Sequence, residues 1–157
     1  MNEKKPADLD HRRETLELIN NEVTAMLAAQ YDSAARIDTK AAILVGYAGA
    51  AASFLATRHS RPVVAALAYV AFGASVGFGI WAYGVYFYET VPKPRTLFTR
   101  YRKRPKAEAL AALAATRVKV IERNAGKIDQ KVKRWWISLG ILTVGMALMI
   151  SAIAGAH

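Results

Sequence analysis

Three stretches without a single charged residue, 41–56, 63–88 and 135–156, interrupt a chain whose other segments are densely charged. The hydrocarbon core of a bilayer is about 30 Å thick and takes roughly 17–25 apolar residues of helix to cross, so all three qualify as spans, the first at the short end. In 157 residues this leaves little room for a separate globular domain. The pattern predicts an all-α membrane protein with three transmembrane helices. Its chemistry has to lie at the membrane or in the two polar segments.

Charge is more informative by segment than as the total of +10. Residues 1–40 carry six Lys/Arg against eight Asp/Glu, the 57–62 connection carries Arg58 and Arg61, and residues 89–134 carry fourteen Lys/Arg against four Asp/Glu. Basic residues accumulate in short cytoplasmic loops. With three spans, the N-terminus and the 89–134 segment are therefore expected in the cytoplasm, and the 58–62 turn and the C-terminus outside. The polar first forty residues predict no cleavable leader. There is no cysteine, which excludes disulfides, thiolate metal sites and thiol nucleophiles. A pI near 10.0 raises nucleic acid as a partner, but positive-inside charge and attraction to anionic lipid head groups explain it more simply. Membrane lipids, and no nucleic acid, are the expectation.

Periodicity organises the polar segments. Residues 1–9 read as a disordered tail with Pro6, followed by an amphipathic cytoplasmic helix over 10–40 that Asp8 or Asp10 can cap. Its apolar stripe is Leu16, Ile19, Val23, Met26, Leu27, Ala34 and Ile37. No Gly or Pro intervenes before Gly46, so the helix is expected to continue unbroken into a first span over 41–57. A tight turn with Ser60 as N-cap and Pro62 in the first helical turn opens the second span, 63–88. Aromatic clusters, Trp81 to Tyr88 and Trp135 with Trp136, fall on the side assigned to the cytoplasm, at head-group level. Residues 89–105, with Pro92, Pro94 and Pro105, form a basic linker. A second amphipathic helix over 106–134 presents Leu110, Ala114, Val118, Ile121, Ala125, Ile128 and Val132, and runs into the third span, 135–156. Each cytoplasmic helix would be about 45 Å long at 1.5 Å per residue. The extended linker reaches at most about 56 Å, enough to return to the far tip. The two extensions can then pair in parallel as a stalk, one net acidic and the other net basic.

Few residues could carry chemistry. His11, His59 and His157 lie far apart, and no phosphate loop, catalytic triad or paired carboxylate is recognisable, so no enzyme and no cofactor are expected. Gly73 and Gly77 form a GxxxG whose face Gly84 extends, and Ala42, Gly46 and Ala50 step by four along the first span. Small residues let helices approach closely in lipid. They serve either packing within one three-helix monomer or a self-association face. Where the spans begin stand Arg36, Asp38, Lys40, Arg123, Lys127, Lys131, Lys133 and Arg134. This group reads either as a lipid-facing basic collar or as an anion site in which Asp38 pairs a Lys or Arg of the third helix.

The run Arg36-Ile-Asp-Thr-Lys-Ala-Ala-Ile-Leu44 resembles the D-x-K-A motif of the transmembrane effectors of Pycsar anti-phage systems. An early helical hairpin, a basic proline-containing loop at 91–95 and a basic helix at 127–134 feeding the last span extend the resemblance over nearly the whole chain. It implies a bacterial inner-membrane protein, triggered by cyclic UMP or cyclic CMP from a partner cyclase, that impairs the membrane and aborts infection. Asp38, Lys40 and Ala41 match the motif, and no separate cyclic-nucleotide-binding domain is present. The expected ligand-binding residues are Arg36, Asp38, Lys40, Arg123, Lys127, Lys131 and Arg134, and the expected assembly is a homo-oligomer. Two other classes remain open: a structural membrane adaptor whose stalk binds a cytoplasmic protein, and a ligand-independent holin-like toxin.

Overall fold

A computed structural model describes residues 6–83, 99 and 105–156. The described residues form three helices and no strand: α1 Pro6–Ala56, α2 Pro62–Tyr83 and α3 Lys106–Ala154. All three are long and apolar enough to cross a membrane. The continuity expected between the first polar helix and the first apolar run is present, since α1 is a single helix of 51 residues. It starts at Pro6, earlier than the periodicity suggested, with a proline where no backbone N–H is needed. Most of the tail, the basic linker, Gly84 and the end of the second apolar run at 84–88 lie outside the described residues.

The chain divides into two compact units. The first is Met1–Ser33 with Phe87–Lys127, and the second is Ala34–Tyr86 with Ile128–His157. In the first unit α1 and α3 run side by side in the same direction. Lys106 meets Glu17 at 2.6 Å, Arg117 donates to Thr24 Oγ1 at 2.7 Å and to Asn20, and Gln30 Nε2 donates to the Ile121 carbonyl at 3.0 Å. The inward positions of α1 are Leu16, Asn20, Val23, Leu27 and Gln30, which alternate steps of four and three. On α3, Ala114, Val120 and Asn124 are buried, with Leu110, Arg117 and Ile121 half-buried, and Leu110, Ala114, Arg117, Ile121 and Asn124 follow the same rhythm. This is the 3.5-residue repeat of a coiled coil.

The expected stripes are therefore corrected. Ile19 and Met26 face outward, 43% and 59% exposed, and Val118 and Ala125 are exposed on α3. Polar Asn20, Gln30, Arg117 and Asn124 take the inward positions instead.

In the second unit α1 and α3 remain parallel, and α2 runs against both. Its core joins Leu44, Ala48 and Leu55 of α1, Ala65, Ala68 and Phe72 of α2, and Leu142, Met149 and Ala152 of α3. The repeat is kept: Ala65, Ala68, Phe72, Ser75, Gly79 and Ala82 are buried on α2, with Ala71 buried beside Phe72. Small residues dominate, so the backbones approach closely. A Cβ on Gly79 would lie 2.9 Å from Val45 Cγ2, and one on Gly145 would lie 2.8 Å from the Phe72 ring.

The turn between α1 and α2 is tied to the end of α3. Thr57 and Arg58 N–H close the last turn of α1 on the Phe54 and Leu55 carbonyls. The Arg61 carbonyl accepts the first hydrogen bond of α2 from Ala65, so Arg61, not Ser60, is the N-cap, with Pro62 in the first helical position as expected. The Arg61 N–H donates to the Ala152 carbonyl at 3.1 Å, and its guanidinium donates to the Gly155 carbonyl at 2.5 Å. A cation is thereby placed on the orphan carbonyls that end α3, where it also opposes the helix dipole.

Candidate functional site

The charged residues around the start of the apolar runs are sorted by the heptad. On α3 the inward position recurs every seventh residue as Arg117, Asn124, Lys131, Ser138, Gly145 and Ala152. Polarity falls along this series as α3 turns apolar. Lys131 and Ser138 are its two polar members in the second unit, 1% and 0% exposed.

Lys131 Nζ lies 2.5 Å from Asp38 Oδ1. The contact is an ion pair without hydrogen-bond alignment at that oxygen. An ammonium buried to this degree requires a counter-charge, because desolvation costs several kcal/mol per ion. Asp38 thus pairs a cation of the third helix, the contact expected within the anion-site reading. One heptad on, Ser138 Oγ donates to the Ser75 carbonyl at 2.8 Å, and Ser75 Oγ donates to the Ser138 carbonyl at 3.0 Å. This crossed pair satisfies both hydroxyls and joins α2 to α3.

Two further cations rest on indoles. Lys40 Nζ is 5.5 Å from the centre of the Trp135 ring, and the Arg134 guanidinium is 4.1 Å from that of Trp81. Trp135 meets Trp136 edge to face at 4.9 Å. The Trp135 indole N–H is buried and has no hydrogen-bond partner. These contacts give the aromatic rings a role beyond the head-group anchoring expected of them.

Of the seven expected ligand-binding residues, the second unit holds Arg36, Asp38, Lys40, Lys131 and Arg134, and the first holds Arg123 and Lys127. Arg36, Lys40 and Arg123 are exposed, Lys127 and Arg134 are half-buried, and Lys131 is buried. Two cavities of the second unit, about 360 Å³ beside Tyr47, Phe54 and Met146 and about 220 Å³ beside Ala42, Val45 and Ile80, have no charged lining. Neither is an anion pocket. No group of His, Asp and Glu able to hold a metal occurs among the described residues.

Gly46, Gly73 and Gly77 make no close contact: a Cβ on any of them would meet nothing within 4 Å. The reading in which these glycines pack the monomer is therefore corrected. Gly79, Gly145 and Gly155 do that work, and a motif search for GxxxG does not single them out. The faces of Gly46, Gly73 and Gly77 point away from the three-helix core.

No family model matches the chain, no curated protein is detectably similar to it, and no solved structure shares its fold detectably.

Proposed function

We propose that the chain is a membrane-embedded anti-phage effector, triggered by a cyclic pyrimidine mononucleotide from a partner cyclase, that impairs the bacterial inner membrane and aborts infection. The trigger and the partner come from the resemblance of residues 36–44 to Pycsar effectors. The observation that carries the reading is where the motif residues sit. Asp38 pairs the buried Lys131, Lys40 stacks on Trp135, and Ala41 is fully buried beside them in the seam. The motif thus coincides with the cations of α3 rather than with an idle surface.

In this reading the apolar parts of α1, α2 and α3 cross the membrane. The N-terminus and residues 89–134 lie in the cytoplasm, where the polar parts of α1 and α3 form a stalk, and the C-terminus lies outside. The open faces of Gly46, Gly73 and Gly77 suit self-association, because lipid offers no hydrophobic drive and close approach supplies the packing instead.

Expression with the cognate cyclase should depolarise cells on infection, as read by a potential-sensitive dye, and neither component alone should. Lys40→Glu should abolish the response while the protein stays in the membrane fraction. Depolarisation without any cyclase would instead establish the holin-like toxin.

A structural adaptor is the second reading, and one observation favours it. Leu18, Ile19 and Met26 stand exposed on the polar part of α1, at 62%, 43% and 59%. An outward apolar patch on a water-facing helix is a surface for a partner protein. Absence of depolarisation with an active cyclase, together with retention of a cytoplasmic protein that Met26→Lys releases, would decide for it.

A further inference from the structure

Lys131 and Asp38 are unequal members of their pair. The Lys131 side chain is 2% exposed and the Asp38 side chain 31%, so the carboxylate is the member that solvent reaches. An anion arriving from water meets negative charge first and finds the cation already matched. A ready anion site has the opposite build, with charged donors turned toward the ligand.

We propose that Asp38 holds, in this arrangement, the place of the trigger's anionic group: it occupies Lys131 until a phosphodiester monoanion displaces it. The proposal rests on the effector reading above and assigns the regulation of that same site. Three observations support exchange at this position. The contact at Asp38 Oδ1 lacks hydrogen-bond alignment, so an incoming phosphodiester with two free oxygens can outcompete it. The Trp135 indole N–H is buried and unpartnered, an additional donor on the residue four positions along α3 from Lys131. Lys40 and Arg134 are engaged by ring faces, contacts worth about 0.5–2 kcal/mol that a charge-assisted bond to phosphate can replace.

The energetics also set the pair apart from ordinary cement. A buried ion pair commonly stabilises no more than apolar residues of similar volume in its place. Leucines at both positions would fill the seam, so folding alone does not require charge there. A ligand that binds only when Asp38 has let go has its apparent affinity lowered by the fraction of molecules in the released state. Removing the carboxylate removes that penalty. The sign is diagnostic: a residue that merely contacts the ligand weakens binding when neutralised, whereas a displaced competitor strengthens it.

The test uses the full chain in nanodiscs of neutral phosphatidylcholine, titrated with cyclic UMP and cyclic CMP, and in a second arm discs containing phosphatidylglycerol. Asp38→Asn, first shown folded by circular dichroism because it leaves the buried Lys131 without its counter-charge, should bind a cyclic mononucleotide at least about tenfold more tightly than the parent, the factor that 1.4 kcal/mol makes in a dissociation constant. The double variant Asp38→Leu with Lys131→Leu should remain folded by circular dichroism and bind neither probe. If Asp38→Asn gains affinity for phosphatidylglycerol alone, exchange with a phosphodiester stands and the nucleotide trigger falls. Equal or weaker binding by Asp38→Asn, with binding lost in the double variant, overturns the exchange and makes Asp38 an ordinary contact. Binding of neither probe to parent or Asp38→Asn overturns it as well, and the effector reading is then decided by the depolarisation experiment alone.

Discussion

The two units place helices in the same 3.5-residue rhythm and fill it with opposite chemistry. In the first unit the seam alternates apolar residues with Asn20, Gln30, Arg117 and Asn124, and its partners meet through hydrogen bonds and the Glu17–Lys106 pair. In the second it is Ala41, Ala48, Ala51, Ala68, Gly79 and Gly145, closed around Phe72 with one crossed serine pair. The difference is what the proposed placement, the first unit in water and the second in lipid, would require. In water, burying apolar surface drives association, and polar seam residues cost stability but specify register. In lipid that drive is missing, and close approach of small residues takes its place. Lys131, joined to Asp38, is the buried charge of the second unit's seam on α3.

The largest test breaks that junction. Lys131→Met leaves the Asp38 carboxylate unpaired but reached by solvent and should lower stability by about 1–3 kcal/mol, whereas the double leucine variant should lie within about 1 kcal/mol of the parent or above it. Thermal melts in detergent compare the two, and equal losses would make the pair ordinary packing. Next, Gly145→Val should cost about 1–3 kcal/mol through collision with the Phe72 ring. Gly77→Val, at an open position, should leave the monomer's melting unchanged and reduce only oligomer size, measured by cross-linking in membranes.

In the first unit Arg117→Met removes the bonds to Asn20 and Thr24 and should cost about 1.5–3 kcal/mol, the range for hydrogen bonds from a charged group. Hydrogen exchange at α1 amides of this unit should rise while those of the second unit hold. The smallest effect is acid sensitivity. Hydrogen bonding from Lys106, then from Arg13, holds the Glu17 carboxyl below its ordinary value of 4.5. The contribution is full above that value and is lost as pH falls through the depressed folded-state value. Glu17→Gln should therefore lose this small contribution near neutrality and melt like the parent once pH falls well below about 4.5, which flattens the acid limb.

The three long helices among the described residues, the unbroken α1 and Pro62 at the start of α2 were legible because charge-free length and missing breakers are properties of the chain alone. The seam was not. A search for apolar stripes includes Ile19, Met26 and Val118 and passes over Asn20, Gln30 and Arg117, since it assumes that inward means apolar. A strict seven-residue count on α3, running Arg117, Asn124, Lys131 and Ser138, was present in the sequence and would have found it. The pairing of Asp38 with a third-helix cation was legible as a class, and the choice of Lys131 over its basic neighbours needed the helical phase. Which glycines face inward also depends on phase. Gly77 and Gly79 are two residues apart, about 200° around a helix, and so lie on opposite sides. The choice of Arg61 over Ser60 as cap depended on the end of α3, far away in sequence.

A seam of this kind behaves like a toothed rack. Neighbouring helices fit only where knobs meet holes, and the next equivalent setting lies one heptad away, about 10.5 Å along the axis. The crossed serines allow no intermediate stop, because each hydroxyl is matched to one carbonyl. Gradual sliding of α3 past its neighbours in the second unit is therefore barred, and small axial loads are borne rather than transmitted as drift. Rotation of α3 about its own axis is barred as well, because a turn of about 100° would set Val144 or Met146 where Gly145 leaves room for the Phe72 ring.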